Sequence, residues 1–204
     1  MSECGFVYSF ATVMETTDIS VKEHIIQTAT RLFHEQGYNR TGINQVIEEA
    51  GVAKASLYYH FPSKEDLCVA YMQRRADNWV NGLEEYLKNV DDPRERLVKT
   101  FDYRAIHLKN NQFGGCSYIK IISELPQRGE KIDEKVLGIK EKQRKFFHDL
   151  TRKLAGIEKK SAAVLADKIF LLFDGGTVQC QVYRDTAPLK IAKKAVMDLL
   201  DEYW

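Results

Sequence analysis

The 204-residue chain is poor in chain breakers. It has four prolines and no glycine- or serine-rich stretch, so no flexible linker or low-complexity segment divides it. Long alternating β-branched runs are scarce, and nothing announces a sheet. Its cysteines, Cys4, Cys68, Cys116 and Cys180, lie far apart without a Cys-x-x-Cys pair. That spacing offers neither a zinc site nor a disulfide framework, and scattered thiols fit a reducing cytoplasm. No apolar run approaches the ~20 residues of a membrane-spanning helix, so no membrane partner is expected. Net charge is only +1, so affinity for nucleic acid would have to come from a local patch. Nucleotide-binding loops, His/Cys metal spacings and a persuasive Ser/His/Asp arrangement are all missing. An enzyme therefore has no support, and neither a cofactor nor a metal is expected.

What remains is 44% hydrophobic and 29% charged residues, enough to bury a core in an all-α protein. Residues 1–19 lack a basic n-region and carry Glu3, which argues against a secretory signal. They are expected to form a flexible tail, or to lie upstream of a physiological start at Met14. Helical periodicity begins after Ser20, where Ser20 and Glu23 form a capping box. Ile25, Ala29, Leu32 and Phe33 share one face of a first helix, about 21–36, stopped by Gly37. Ile43, Val46, Ile47 and Ala50 mark a second, short helix ended by Gly51. Leu57 and Phe61 mark a third, stopped before Pro62. Ser63 caps a fourth, about 64–89, long enough to bridge two domains. Asp92-Pro93 opens a fifth, with Leu97, Phe101, Ala105 and Leu108 inside. After a loop at 110–115, further helices are expected near 116–125, 130–155, 161–184 and 188–203. The 161–184 helix is apolar on several sides, the pattern of a helix buried against its own domain and against a partner.

Two short amphipathic helices joined by a tight glycine-containing turn are the sequence form of a helix-turn-helix. The segment from Thr41 to Leu67, and above all the run Gly51-Val52-Ala53-Lys54-Ala55-Ser56-Leu57-Tyr58-Tyr59-His60-Phe61-Pro62-Ser63-Lys64, strongly resembles the TetR family of bacterial regulators. The resemblance covers about residues 20–68; beyond them it extends only to helix count and order. It implies a helix-turn-helix domain at 20–67 and a larger C-terminal ligand-binding and dimerisation domain at 68–204. The residues themselves agree, because a recognition helix needs short polar and aromatic side chains that reach base edges and phosphates. Lys54 is a candidate for a guanine edge or a phosphate. Ser56 and its neighbour Ala55 lie on the same short helix, and Tyr58 and His60 are candidate phosphate anchors. Tyr59 packs on a sugar or thymine methyl, or else belongs to the small core. Lys64 with the amides opening the fourth helix, and Thr41 with those opening the second, are candidate phosphate seats. Two features depart from expectation. Residues 20–64 hold five basic and four acidic side chains, a weak surplus for a DNA binder. Ala53 stands where the resemblance leads one to expect a capping serine, an omission that costs ~1 kcal/mol.

One such reader contacts few base pairs, so a homodimer on a palindromic double-stranded DNA operator is expected. The last two helices are the dimerisation candidates, with Gly175 and Gly176 permitting close approach or marking a local helix break. The resemblance implies a repressor released by a small-molecule effector within the C-terminal helices. Trp79, Tyr103, His107, Phe147, Phe170 and Asp174 are candidate contacts, each also explicable as core packing. Cys116 follows Gly114-Gly115 at an expected helix start, with Lys120 one turn on. Both a helix dipole and a nearby cation raise thiol reactivity. A redox or electrophile sensor acting through Cys116 is thus one alternative, and an architectural DNA binder without effector another.

Overall fold

The computed structural model describes residues 20–125, 127 and 129–203. The expected tail, the choice between Met1 and Met14, and Cys4 fall outside them. The described residues form nine helices and no strand: α1 (Val21–Glu35), α2 (Ile43–Glu49), α3 (Lys54–His60), α4 (Lys64–Leu87), α5 (Pro93–Asn110), α6 (Ser117–Glu124), α7 (Glu130–Thr151), α8 (Lys159–Tyr183) and α9 (Ala187–Asp201). None is long and apolar enough to cross a membrane.

The starts follow the expected chemistry. Ser20, Ser63 and Asp92 each accept a hydrogen bond from the backbone N–H three residues on, satisfying a donor that the first turn leaves without an intrahelical partner. The main difference in bounds is at α7, which stops at Thr151 rather than near Gly156. There Leu154 is buried and its N–H reaches back to the Thr151 carbonyl. A turn docks that leucine where a continuing helix would carry it past the core.

Two hydrophobic cores meet along α4. The upper core gathers Ile25, Leu32, Phe33, Val46, Leu57 and Phe61 of the first three helices around Leu67, Tyr71 and Met72 of α4. It continues into Tyr118 and Ile121 of α6 and Ile132, Val136 and Ile139 of α7. The small head therefore does not pack on itself alone; α6 and the first half of α7 are part of its floor. The lower core holds Trp79, Leu83 and Leu87 of α4 with the inner faces of α5, α7, α8 and α9. α4 thus contributes to both cores and connects head and body.

α8 runs unbroken through Gly175 and Gly176, which overturns the helix-break alternative. The close approach at Gly176 is within the chain, since a Cβ there would meet Leu189 and Ala192 of α9. Gly175 faces open space. Val164, Leu171, Val178 and Val182 are exposed on that same side of α8.

Candidate DNA-reading head and effector cavity

α3 is held by one side. Leu57 is fully buried and Phe61, just after the helix, nearly so. The remaining positions face outward: Lys54 and Ala55 are exposed, Ser56 and His60 half-buried. Tyr58 is 39% exposed and Tyr59 84% exposed, so Tyr59 is not part of the small core. Its ring meets His60 edge-on, with centroids 5.0 Å apart. The helix start is bare as expected: Ala53 has the extended backbone of a cap but no side-chain bond to the first turn.

Two of the proposed phosphate seats are revised. Thr41 is completely buried; its hydroxyl donates to the Gly37 carbonyl at 2.7 Å and accepts from Gln36 Nε2 at 3.1 Å. It staples the α1–α2 turn, so its side chain is not available to a phosphate. Lys64 is half-buried, and its ammonium lies 4.2 Å from the centre of the Tyr38 ring. Burial holds its pKa below the usual lysine value, so any phosphate competes with that aromatic face for the charge.

In the body, four of the seven sequence-named residues come together. Trp79, His107, Cys116 and Asp174 line a cavity of about 20 Å³, with Arg75, Arg104, Lys140 and Gln143 also in its wall. Tyr103 backs the Trp79 ring at 6.3 Å. Phe147 and Phe170 do not line this cavity. They stack against each other at 5.8 Å, and fully buried Phe147 also packs on Phe173 in the lower core. Those two are packing residues, because helical neighbours on an inner face meet each other before they meet a ligand.

The cavity is polar and poorly satisfied. Trp79 Nε1, His107 Nδ1 and Gln143 Oε1 are buried without a hydrogen-bond partner. Burial, reinforced by the charges of Arg104 and Arg75, pushes the His107 pKa down to about 4, so the ring is neutral. Asp174 is spoken for: both its carboxylate oxygens accept from Lys140 Nζ, at 2.8 and 2.6 Å. Arg104 is 8% exposed. Among the described residues its guanidinium makes one hydrogen bond, Nε to Thr177 Oγ1 at 3.2 Å, and no ion pair. Beside the cavity opens a cleft of about 340 Å³ between α4 and α7, lined by Ala76, Val80, Leu83, Ile139 and Phe146. Trp79 and Gln143 belong to both walls.

Sequence reasoning passed over Arg104, Arg75, Lys140 and Gln143. Arg104 had a signal: it falls on the stripe of Leu97, Phe101 and Leu108, where a charged residue inside an apolar helical face is a misfit needing a reason.

Cys116 is the N-cap of α6, as expected. It is 8% exposed, and burial counts against a freely accessible thiol. Lys120 does not assist it; its ammonium donates to the His34 carbonyl at 3.1 Å. Gly115 precedes it at φ +75°, and a Cβ there would collide with Gln181. α6 runs from the cavity to the head. At its far end Glu124 accepts the Asn39 N–H at 2.9 Å on its carboxylate and the Asn39 side-chain amide at 2.6 Å on its carbonyl.

A three-helix head with an outward-facing third helix, joined by α4 to a larger helical body, is the architecture of a helix-turn-helix DNA-binding regulator. Residues 25–71 match the family described as bacterial regulatory proteins, tetR family. The HTH-type transcriptional regulator LmrA of Bacillus subtilis is 25% identical over 88% of this chain and 96% of its own length. IcaR of Staphylococcus epidermidis, the negative transcriptional regulator of the biofilm operon icaADBC, is 33% identical over 40% of this chain and 51% of its own. A TetR-family regulator from Streptomyces coelicolor superposes with a TM-score of 0.80 at 18% identity, covering 90% of this chain and 95% of that one. Over residues 25–71 the chain matches the helix-turn-helix domain of that family, and over most of its length it is similar to helix-turn-helix transcriptional regulators.

Proposed function

We propose that this regulator is a homodimeric repressor that leaves a palindromic operator when a small molecule enters the body. Residues 20–67 are the DNA-binding domain on this reading, and 68–204 the regulatory and dimerisation domain of a cytoplasmic protein. The observation that carries it is the one-sided burial of α3: a single buried leucine holds the helix while Lys54, Tyr58 and Tyr59 are exposed and Ser56 and His60 are half-exposed beside them. An aromatic as exposed as Tyr59 has a large face free for a partner to cover. Lys54 and Ser56 contact base edges or phosphate, Tyr58 and His60 phosphate, and Tyr59 a sugar or thymine methyl. IcaR is a negative regulator, which favours repression over activation here.

Dimerisation is read from α8. Val164, Lys168, Leu171, Gly175, Val178 and Val182 recur every three or four residues on its exposed side, the spacing of a helix-packing seam. The release mechanism is read from α6, whose first residues line the polar cavity and whose last side chain holds Asn39 of the head. An effector that fits better with one setting of α6 shifts the population toward it and resets the two heads.

Footprinting the purified protein on genomic DNA tests the core of this reading. The expected result is a protected inverted repeat, with half-sites one helical turn or a multiple apart, lost in Tyr58→Ala. Protection of a single unpaired half-site, or none, overturns it.

A further inference from the structure

The cavity beneath α6 carries a charge imbalance that the rest of the molecule corrects elsewhere. Lys140 is neutralised by Asp174, and Arg144 is held by Asp167. Arg104, more buried than either, has no carboxylate within ion-pair distance among the described residues, the Lys140-bound Asp174 acting on it only from farther off, and neither has Arg75 across the same cavity. A guanidinium brought in from water without a counter-charge is among the most expensive groups a core can hold. Its neighbours compound the cost: Trp79 Nε1, a donor only, and His107 Nδ1 are buried with nothing to bond. Water can satisfy an indole or an imidazole, but it does not neutralise a guanidinium.

We infer that the effector is an amphiphilic organic carboxylate, its head held by Arg104 and Trp79 Nε1 in the small cavity and its apolar body in the cleft between α4 and α7. Two features set this class. The planar fork of an arginine matches a carboxylate with two parallel hydrogen bonds. The adjoining cleft offers Ala76, Val80, Leu83, Ile139 and Phe146 to an aliphatic or aryl chain, among polar neighbours that include Asp77, Glu84 and Lys142. Trp79 and Gln143 stand in both walls, so one molecule spans them. A cationic amine in the same place would face two unpaired arginines.

This inference rests on the effector-gated reading above, and its test keeps the two apart. Binding is measured by calorimetry on the full-length dimer without DNA, using octanoate and 4-phenylbutyrate against octanamide, 4-phenylbutanamide and 4-phenylbutylamine. The acids are expected to bind about tenfold or more tightly than the amides, and the amine not at all. Arg104→Met should erase that preference without lowering the unfolding temperature of the ligand-free protein, because it removes an uncompensated buried charge. A residue kept only for structure would instead lower it. Should Arg104→Met fail to fold, Arg75→Gln, on the partly exposed side of the cavity, must still weaken the acids relative to the amides. Amides or the amine binding as well as the acids, no acid binding at millimolar concentration, or acid binding untouched by either substitution overturns the inference. Acids that bind yet leave operator occupancy unchanged uphold the ligand class and overturn effector gating.

Discussion

Arg104 occupies a position that the pattern of α5 gives to an apolar side chain, and His107 one turn later is forced neutral beside it. The imidazole has a measurable consequence. Its ordinary value of 6.5 is pushed down to about 4 by burial, so the unfolded chain binds the proton first. The stability this neutral ring contributes is complete above about pH 6.5 and is lost as pH falls toward 4, on the order of 3 kcal/mol in all. Urea unfolding of wild type and His107→Gln should show it: the variant loses less stability between about pH 7 and pH 4, and parallel losses would refute the assignment. In the head, Tyr58→Ala is expected to weaken operator binding about 30-fold, ~1 kcal/mol per protomer counted twice, with the unfolding temperature unmoved. Lys54→Ala should weaken binding and flatten its salt dependence by a slope of about two, one phosphate per half-site. An unchanged slope would place Lys54 on a base edge instead. Lys64 is a less clean probe than Lys54, since removing it also strips the Tyr38 ring. The exposed residues of α3 were legible because a short helix has only one side to bury. The cavity was legible only in part: Trp79, His107, Cys116 and Asp174 were visible as polar or aromatic residues in helices, but which of them converge depends on packing angles that periodicity does not carry.

Caps, glycines and prolines marked the first five helices to within a few residues, because orphaned backbone groups at helix ends select a narrow set of residues. Sequence periodicity could not show that α6 and α7 floor the head, since that contact joins residues far apart in the chain. Two elements invite tests. Ala53 holds a cap's backbone, φ −66° and ψ 143°, without a cap's oxygen. Ala53→Ser should supply a bond to the first turn of α3 and stabilise the protein by ~1 kcal/mol, read as a raised thermal midpoint. If the midpoint stays put, the start of α3 is not limiting. α6 is the second element. Asn39→Ala removes the amide that the Glu124 carbonyl accepts and loosens the hold of α6 on the head, the Asn39 backbone bond remaining. Effector affinity in the absence of DNA should survive, while the drop in operator affinity that the effector causes should shrink, within the 1–3 kcal/mol that such couplings span. Full coupling in the variant would route the signal through α4 instead.

At the scale of the whole molecule, the weak basic surplus of the head and its few exposed contacts leave a single copy with little grip on DNA. Two copies linked rigidly gain far more than twice as much, because once one head is seated the second binds at high effective concentration. The body supplies the means. Leu171 is 72% exposed and Ile191 71% exposed, and with Gly175 they border one shallow apolar groove along α8 and α9. Large apolar side chains gathered there stand out from the scattered ones that any surface shows. The inner faces of the same helices are fully engaged in the lower core, so the outer stripe is not needed to fold the protomer. Leu171→Glu should therefore leave the helices and the thermal unfolding of the protomer nearly intact. It should convert the particle to a monomer by sedimentation, because two carboxylates would meet across the two-fold axis. Operator affinity should fall by about a hundredfold or more as the linkage is lost, while the feeble binding to an isolated half-site stays as in wild type. A variant that still sediments as a dimer moves the interface elsewhere. One that becomes monomeric yet grips the full operator as before shows that each head reads DNA alone.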